Sequence, residues 1–207
     1  MDKSHDHPIP GTPVRLRQLQ MLRPHLDHLP EIDLPSGLVL RTWQDGDEVA
    51  WGAIMDSPGG IHTSGGWLVH RVREKLVERS EFTPSGCFLV CDMTTPRQNP
   101  VASATMWRVA TADAGPSARG YLHMVGALPE YRGKGLGRAV ALAALKAMAS
   151  RGDTDAMLET DDARVPAIRS YLGLGFTPVY APDGDQQPDH RHRWSAVLQE
   201  CHAFRPT

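Results

Sequence analysis

Little in this chain suits an oxidising or a membrane setting. Only three of its 207 residues are cysteine, Cys87, Cys91 and Cys201, an odd number without C-x-x-C spacing. That excludes a disulfide framework and points to reduced, buried thiols rather than a metal site. No stretch of eighteen apolar residues occurs, so nothing is expected to span a membrane. The first residues, Met1-Asp-Lys-Ser-His-Asp-His-Pro8, hold no apolar segment, which argues against secretion and for a cytoplasmic location. Internal repeats and low-complexity arrays are also missing. The formal charge is only −2, so the broadly basic surface of a nucleic-acid binder is not expected either.

Charge is unevenly distributed, however. Between residues 131 and 152 there are five basic side chains (Arg132, Lys134, Arg138, Lys146 and Arg151) and no acid, which leaves −7 on the rest of the chain. The same window contains Arg132-Gly133-Lys134-Gly135-Leu136-Gly137, followed by an uninterrupted helical run to Ser150. Glycines at alternating positions put no Cβ in the way, so the backbone N–H groups from Gly133 to Arg138 can converge on one anion. The helix start behind them adds partial positive charge. This is neither the G-x-G-x-x-G of a dinucleotide fold nor a Walker loop. A phosphorylated small ligand is the expected occupant.

Taken with the half-buried strand before it, the stretch 122–150 resembles motif A of the GCN5-related N-acetyltransferase (GNAT) family, on Val125, Ala127, Pro129, Arg132, Gly135 and Gly137. A second block supports the resemblance. Ala156-Met-Leu-Glu-Thr160 reads as a strand, Asp162 as the cap of a helix that tolerates Pro166 in its first turn, and Ala167, Ile168, Tyr171 and Leu172 as one helix face. The spacing Ala167, Tyr171, Gly175-Phe176 is similar to the family's motif B. Arg164 stands where that motif has asparagine, which puts the usual hydrogen bonds to the pantetheine arm in question.

The remaining elements are read more coarsely. At 41% apolar residues the chain can bury a good-sized core. We expect three parts: an N-terminal arm over residues 1–36, flexible at first and then wrapped on the core; one domain over 37–200; and a tail over 201–207. Strands are expected at 38–42, 87–91, 101–109, 122–128, 156–160, 176–180 and 193–198, and helices at 45–55, 67–79, 138–150 and from 162 onward. The resemblance implies an α/β (α+β) fold with a mixed, mostly antiparallel twisted sheet, helices on both faces, and a splay between the family's fourth and fifth strands. The arm with its Trp43-led core is also similar to acetyltransferases related to mycothiol synthase, a likeness from which no substrate is assigned.

What the resemblance implies chemically is acetyl transfer from acetyl-CoA, as co-substrate, to an amine of a small molecule or peptide, without a metal, a membrane or nucleic acid; a homodimer is left open. Val125, Gly126 and Ala127 would offer a backbone N–H to the thioester, and Arg132, Gly133, Lys134, Gly135, Leu136, Gly137 and Arg138 would hold the pyrophosphate, with Arg164 nearby. Tyr171 stands where a hydroxyl protonates the coenzyme thiolate; the plain alternative is a core aromatic. Glu159 is the candidate base, or a salt-bridged surface acid. Tyr121 and His123 share a strand face and could meet the amine, though a histidine at such a position is more often a packed residue. Asp161 and Asp162 read as a helix start, and His190 and His192 as a solvated strand edge. A competing reading is a non-catalytic acyl-CoA-binding sensor or assembly module.

Overall fold

The computed structural model describes residues 17–61, 63–109, 119–180 and 190–203. The polar stretch at the start of the expected arm, the loop over 181–189 and the last four residues of the expected tail lie outside them.

Seven strands form one sheet in the order β2-β3-β4-β5-β6-β1-β7: β1 (Leu19–Arg23), β2 (Leu38–Thr42), β3 (Cys87–Asp92), β4 (Pro100–Val109), β5 (Arg119–Ala127), β6 (Ala156–Thr160) and β7 (Thr177–Pro178). Every adjacent pair is antiparallel except β5 and β6. Period-two alternation gives the sheet two apolar faces. On β3, Cys87, Leu89 and Cys91 pack with Trp43, Trp51, Ile54 and Met55, while Val90 packs with the helix that follows β5. Helices therefore cover both faces: α1 (Glu48–Asp56) and α2 (Val69–Val72, running into a π-helical turn at Arg73–Val77) on one, α3 (Leu136–Ser150) on the other.

Helix α3 forms because its fifteen residues contain six alanines and no interior breaker. Its middle is buried without interruption from Ala139 to Leu145. That burial anchors the helix axis, and with it the position of the helix start.

Five expectations are corrected. The arm is not merely wrapped on the core. Its residues Leu19–Arg23 are β1, inserted in the sheet between β6 and β7, with Leu19 opposite Thr160 and Arg23 opposite Ala156. Residues 193–198 are not a strand but part of α5 (His190–Ala203). There Trp194, Val197 and Cys201 fall on one buried face at helical spacing, and Trp194 Nε1 donates to the Val179 carbonyl at 3.2 Å. His190 is buried on the first turn of α5, so it is not a solvated strand edge. Asp162 does not cap the next helix either. Helix α4 (Val165–Gly173) starts at Arg164 without a side-chain cap, and Asp162 accepts instead from Arg193 Nε on α5 at 2.9 Å. The 176–180 strand is reduced to Thr177–Pro178.

Candidate active site

Strands β5 and β6 pair only at Gly120–Ala156 and Tyr121–Met157. Beyond Tyr121 the two strands part, and a splay opens. The β4–β5 register gives its cause on one side: Ser103 pairs Gly126, but Thr105 pairs His123, so β5 carries one extra residue. Met124 takes φ +51° at this bulge, a left-handed conformation that costs a non-glycine residue about 1–2 kcal/mol. The bulge bends β5 away from β6 and leaves the backbone of Val125, Gly126 and Ala127 facing the open splay.

Below the splay lies a cleft of about 530 Å³. A 3-10 turn at Pro129–Tyr131 brings the chain to the glycines, where Gly133 and Gly135 adopt φ of +75° and +77°. A Cβ at either would meet no protein atom; it would project into space that a ligand can use. Gly135 is also the N-terminal cap of α3, and no side chain caps the helix. The first N–H groups of a long, buried helix are thus left to whatever enters the cleft. Leu136, Gly137 and Arg138 line the same cleft, facing Ala163, Pro166, Ala167 and Ser170 of the α4 side.

The basic side chains here are engaged in different ways. Lys134 does not line the cleft; its ammonium lies 4.8 Å from the Tyr131 ring centre, and the Tyr131 hydroxyl donates to Asp92 at 2.6 Å. Arg132 lines the cleft but donates to the Pro58 carbonyl and, at 3.4 Å, to Ser57 Oγ. Arg138 donates to the Gly173 carbonyl at 3.3 Å. Arg164 donates through Nε to Asp161 at 2.9 Å and through a terminal nitrogen to the Gly60 carbonyl at 2.9 Å.

A second cavity of about 200 Å³ adjoins the first, and Val125 and Arg164 line both. It brings together Tyr121 and His123 of β5, Glu159 and Asp161 at the end of β6, and Tyr171 of α4. Glu159 accepts from Gln20 Nε2 at 2.9 Å and from the Tyr121 hydroxyl. Both donors are neutral, and no cation among the described residues forms an ion pair with this carboxylate. Asp161, by contrast, is paired with Arg164 and accepts from Gln18 at 3.0 Å. Burial first, and then the Glu159 charge, push the Tyr121 hydroxyl well above the usual range. His123 packs against Trp107 with ring centres 3.9 Å apart, and burial depresses its ionisation to about 4. Its ring is neutral at ordinary pH. Tyr171 is buried, its ring edge against Phe176, and burial pushes its hydroxyl up to about 12 against the opposing pull of Arg164.

Gln18, Gln20 and Trp107 join the site without having been singled out in the sequence, alongside Gly59–Ile61 of the Ser57–Trp67 loop, which the sequence offers as a source of substrate selectivity. The alternation Gln18-Leu19-Gln20-Met21, with Leu19 and Met21 fully buried, is the one local signal that could have found the first two. Among the described residues no cluster of three metal-ligating side chains occurs, and no helix is long and apolar enough to cross a membrane.

Comparison with known proteins agrees with this geometry. A family model described as the Acetyltransferase (GNAT) family matches residues 38–176. A mycothiol acetyltransferase from Thermobispora bispora is 37% identical over 168 residues, covering 79% of this chain and 55% of the relative. The chain spans about half the length of the curated relatives it matches. Among solved structures, a GCN5-related N-acetyltransferase from Sphaerobacter thermophilus aligns with a TM-score of 0.57 at 21% identity, covering 79% of this chain and 50% of the other. The NatC complex bound to Gag peptide and CoA aligns with a TM-score of 0.56 at 19% identity, covering 68% and 84%. These two likenesses concern the fold.

Proposed function

Because this chain belongs to the GNAT acetyltransferase family, we propose that it moves an acetyl group from acetyl-CoA to a primary amine by direct attack within a ternary complex. One observation carries the reading: an amide-lined cleft and a cavity holding a carboxylate with no ion-pair partner among the described residues meet at Val125 and Arg164. Acetyl-CoA supplies an already activated thioester, so the protein has to position an amine, polarise a carbonyl, take a proton and accommodate a departing thiolate.

The amides from Gly133 to Arg138, with the uncapped start of α3, hold the pyrophosphate. A backbone N–H of the bulged Val125–Ala127 segment polarises the thioester carbonyl. Glu159 takes the proton that nitrogen loses as the new N–C bond forms, a contribution of about 10²–10⁴ in rate for a well-placed base. Neutral His123, backed by the Trp107 ring, walls the amine without repelling it. The Tyr171 hydroxyl donates a hydrogen bond to sulfur as the C–S bond breaks. The acceptor is a small-molecule or peptide amine, and the mycothiol acetyltransferase relatives make mycothiol-related amines the first to try. Three free, buried cysteines support a reducing, cytoplasmic setting for the reaction.

The test is a free-thiol assay with acetyl-CoA against a panel of amines, with mass spectrometry of the product. Thiol release that depends on one amine, with a gain of one acetyl group on it, is the expected result. Tight coenzyme binding with no release from any amine would favour a non-catalytic acyl-CoA-binding module.

A further inference from the structure

Arg164 is the one charged side chain that lines both cavities, and it replaces a neutral amide in the motif it belongs to. Its position is fixed from two directions. Nε donates to Asp161 at the end of β6, and one terminal nitrogen donates to the Gly60 carbonyl across the cleft. The Gly60 anchor is itself wedged, since a Cβ there would lie 2.2 Å from the Met55 carbonyl oxygen and 2.8 Å from that of Ser57. The remaining terminal nitrogen makes no hydrogen bond to a described residue.

We infer that Arg164 is a further catalytic residue: a fixed cation that meets the negative charge developing on the coenzyme sulfur where the two cavities join. The inference rests on the acetyl-transfer reading. In the step, the nitrogen lone pair forms the N–C bond and the C–S bond breaks with its electron pair going to sulfur. The proton lost by nitrogen passes to Glu159, and the thiolate stands beside the guanidinium until it leaves and is protonated by solvent, to which Glu159 also returns its proton.

Two observations support this division of labour. The Tyr171 hydroxyl ionises near 12, whereas an ordinary thiol ionises near ~8.5. Such a hydroxyl keeps its proton against a thiolate and can offer only a hydrogen bond. Second, the Asp161 charge does not cancel Arg164 where it matters. The Asp161 side chain is 50% exposed and the Arg164 side chain 22%, so water screens the carboxylate more than the guanidinium. The other titratable groups facing the junction are Glu159 of β6, Tyr121 and His123 of β5, and Tyr171 of α4, with Tyr131, Arg132 and Arg138 on the cradle side. Of these, Tyr121, His123 and Tyr171 are neutral at ordinary pH.

The decisive experiment titrates the thiol of bound coenzyme A by its thiolate absorbance in the native protein, Arg164→Met, Arg164→Lys and Tyr171→Phe. Desulfo-coenzyme A binding is measured in parallel. The expected result is a thiol at least about tenfold less acidic in Arg164→Met than in the native complex, a difference of one pH unit. Acidity should be largely kept in Arg164→Lys and should fall less in Tyr171→Phe than in Arg164→Met, and desulfo-coenzyme affinity should stay within about threefold throughout. Turnover of Arg164→Met with a working amine should fall by about 100-fold in kcat with little change in coenzyme KM. Equal thiol acidity in native and Arg164→Met complexes overturns the inference. So does loss of desulfo-coenzyme binding in both Arg164 variants, which would make the residue a brace for the Gly60 loop. If no amine releases thiol, the acetyl-transfer reading fails instead, and the acidity measurement still stands as its own readout.

Discussion

The proposed coenzyme cleft and the proposed acceptor cavity are built from different materials. The cleft is mostly backbone: glycines with positive φ, the uncapped start of α3 and the bulged segment of β5. The cavity is side chains drawn from four places far apart in the chain, with Gln18 and Gln20 from the N-terminal stretch bonded to Asp161 and Glu159 about 140 residues later. A backbone site suits a ligand that is the same for every member of a family, because amides recognise an anion whatever the neighbouring side chains are. A side-chain site can be changed one residue at a time. On the proposed reading, coenzyme recognition in this chain would be fixed by local geometry and acceptor recognition by tertiary assembly.

Substitutions can break that contrast, and the largest effect should come from Gly135→Asp. It places a side chain at φ +77° and a negative charge among the cradle amides, and coenzyme affinity measured by calorimetry should drop by more than about 100-fold. An unchanged affinity would sink the cradle assignment. Glu159→Gln attacks the other side: kcat should fall about 100-fold while coenzyme affinity holds, since the carboxylate lies outside the cleft.

A smaller effect concerns pH and stability. The folded-state ionisation of His123 lies near 4 and that of an unfolded histidine near ~6.5. The unfolded chain therefore binds this proton first on acidification, and the stability present above the unfolded value is lost as pH falls toward 4. Chemical denaturation should find roughly 2 kcal/mol less stability at pH 4.5 than at pH 7.5 from this group, allowing for its partial exposure. In His123→Phe that part of the slope should vanish; an identical slope would mean other groups set it. Smallest is Gln20→Leu, which removes one neutral donor from Glu159 and should raise the acceptor KM a few-fold, with coenzyme KM unchanged.

The same contrast explains what could be read from the sequence. The cradle, the β5 strand and the α3 run were legible because glycine spacing and alanine-rich helicity are local facts. Strand β1 was not, since five residues of alternation say little until their partner in β6 is known. Helix α5 was mistaken for a strand because only Trp194, Val197 and Cys201, with His190 and Arg193 near its start, mark its buried side. The start of α4 was placed too early because Asp162 looks like a cap locally, yet its partner is Arg193, thirty-one residues on. Glu159, Tyr121, His123 and Tyr171 could be named individually. That they share one cavity with Gln18 depends on the inserted strand.

The most direct test of the account is calorimetric titration of the native protein with acetyl-CoA and, in parallel, with acetyl-pantetheine, which carries the same thioester but no pyrophosphate. If the cradle holds the coenzyme, acetyl-CoA should bind at one site and acetyl-pantetheine at least about 100-fold more weakly. Equal affinity for the two, or no binding of acetyl-CoA, would contradict it.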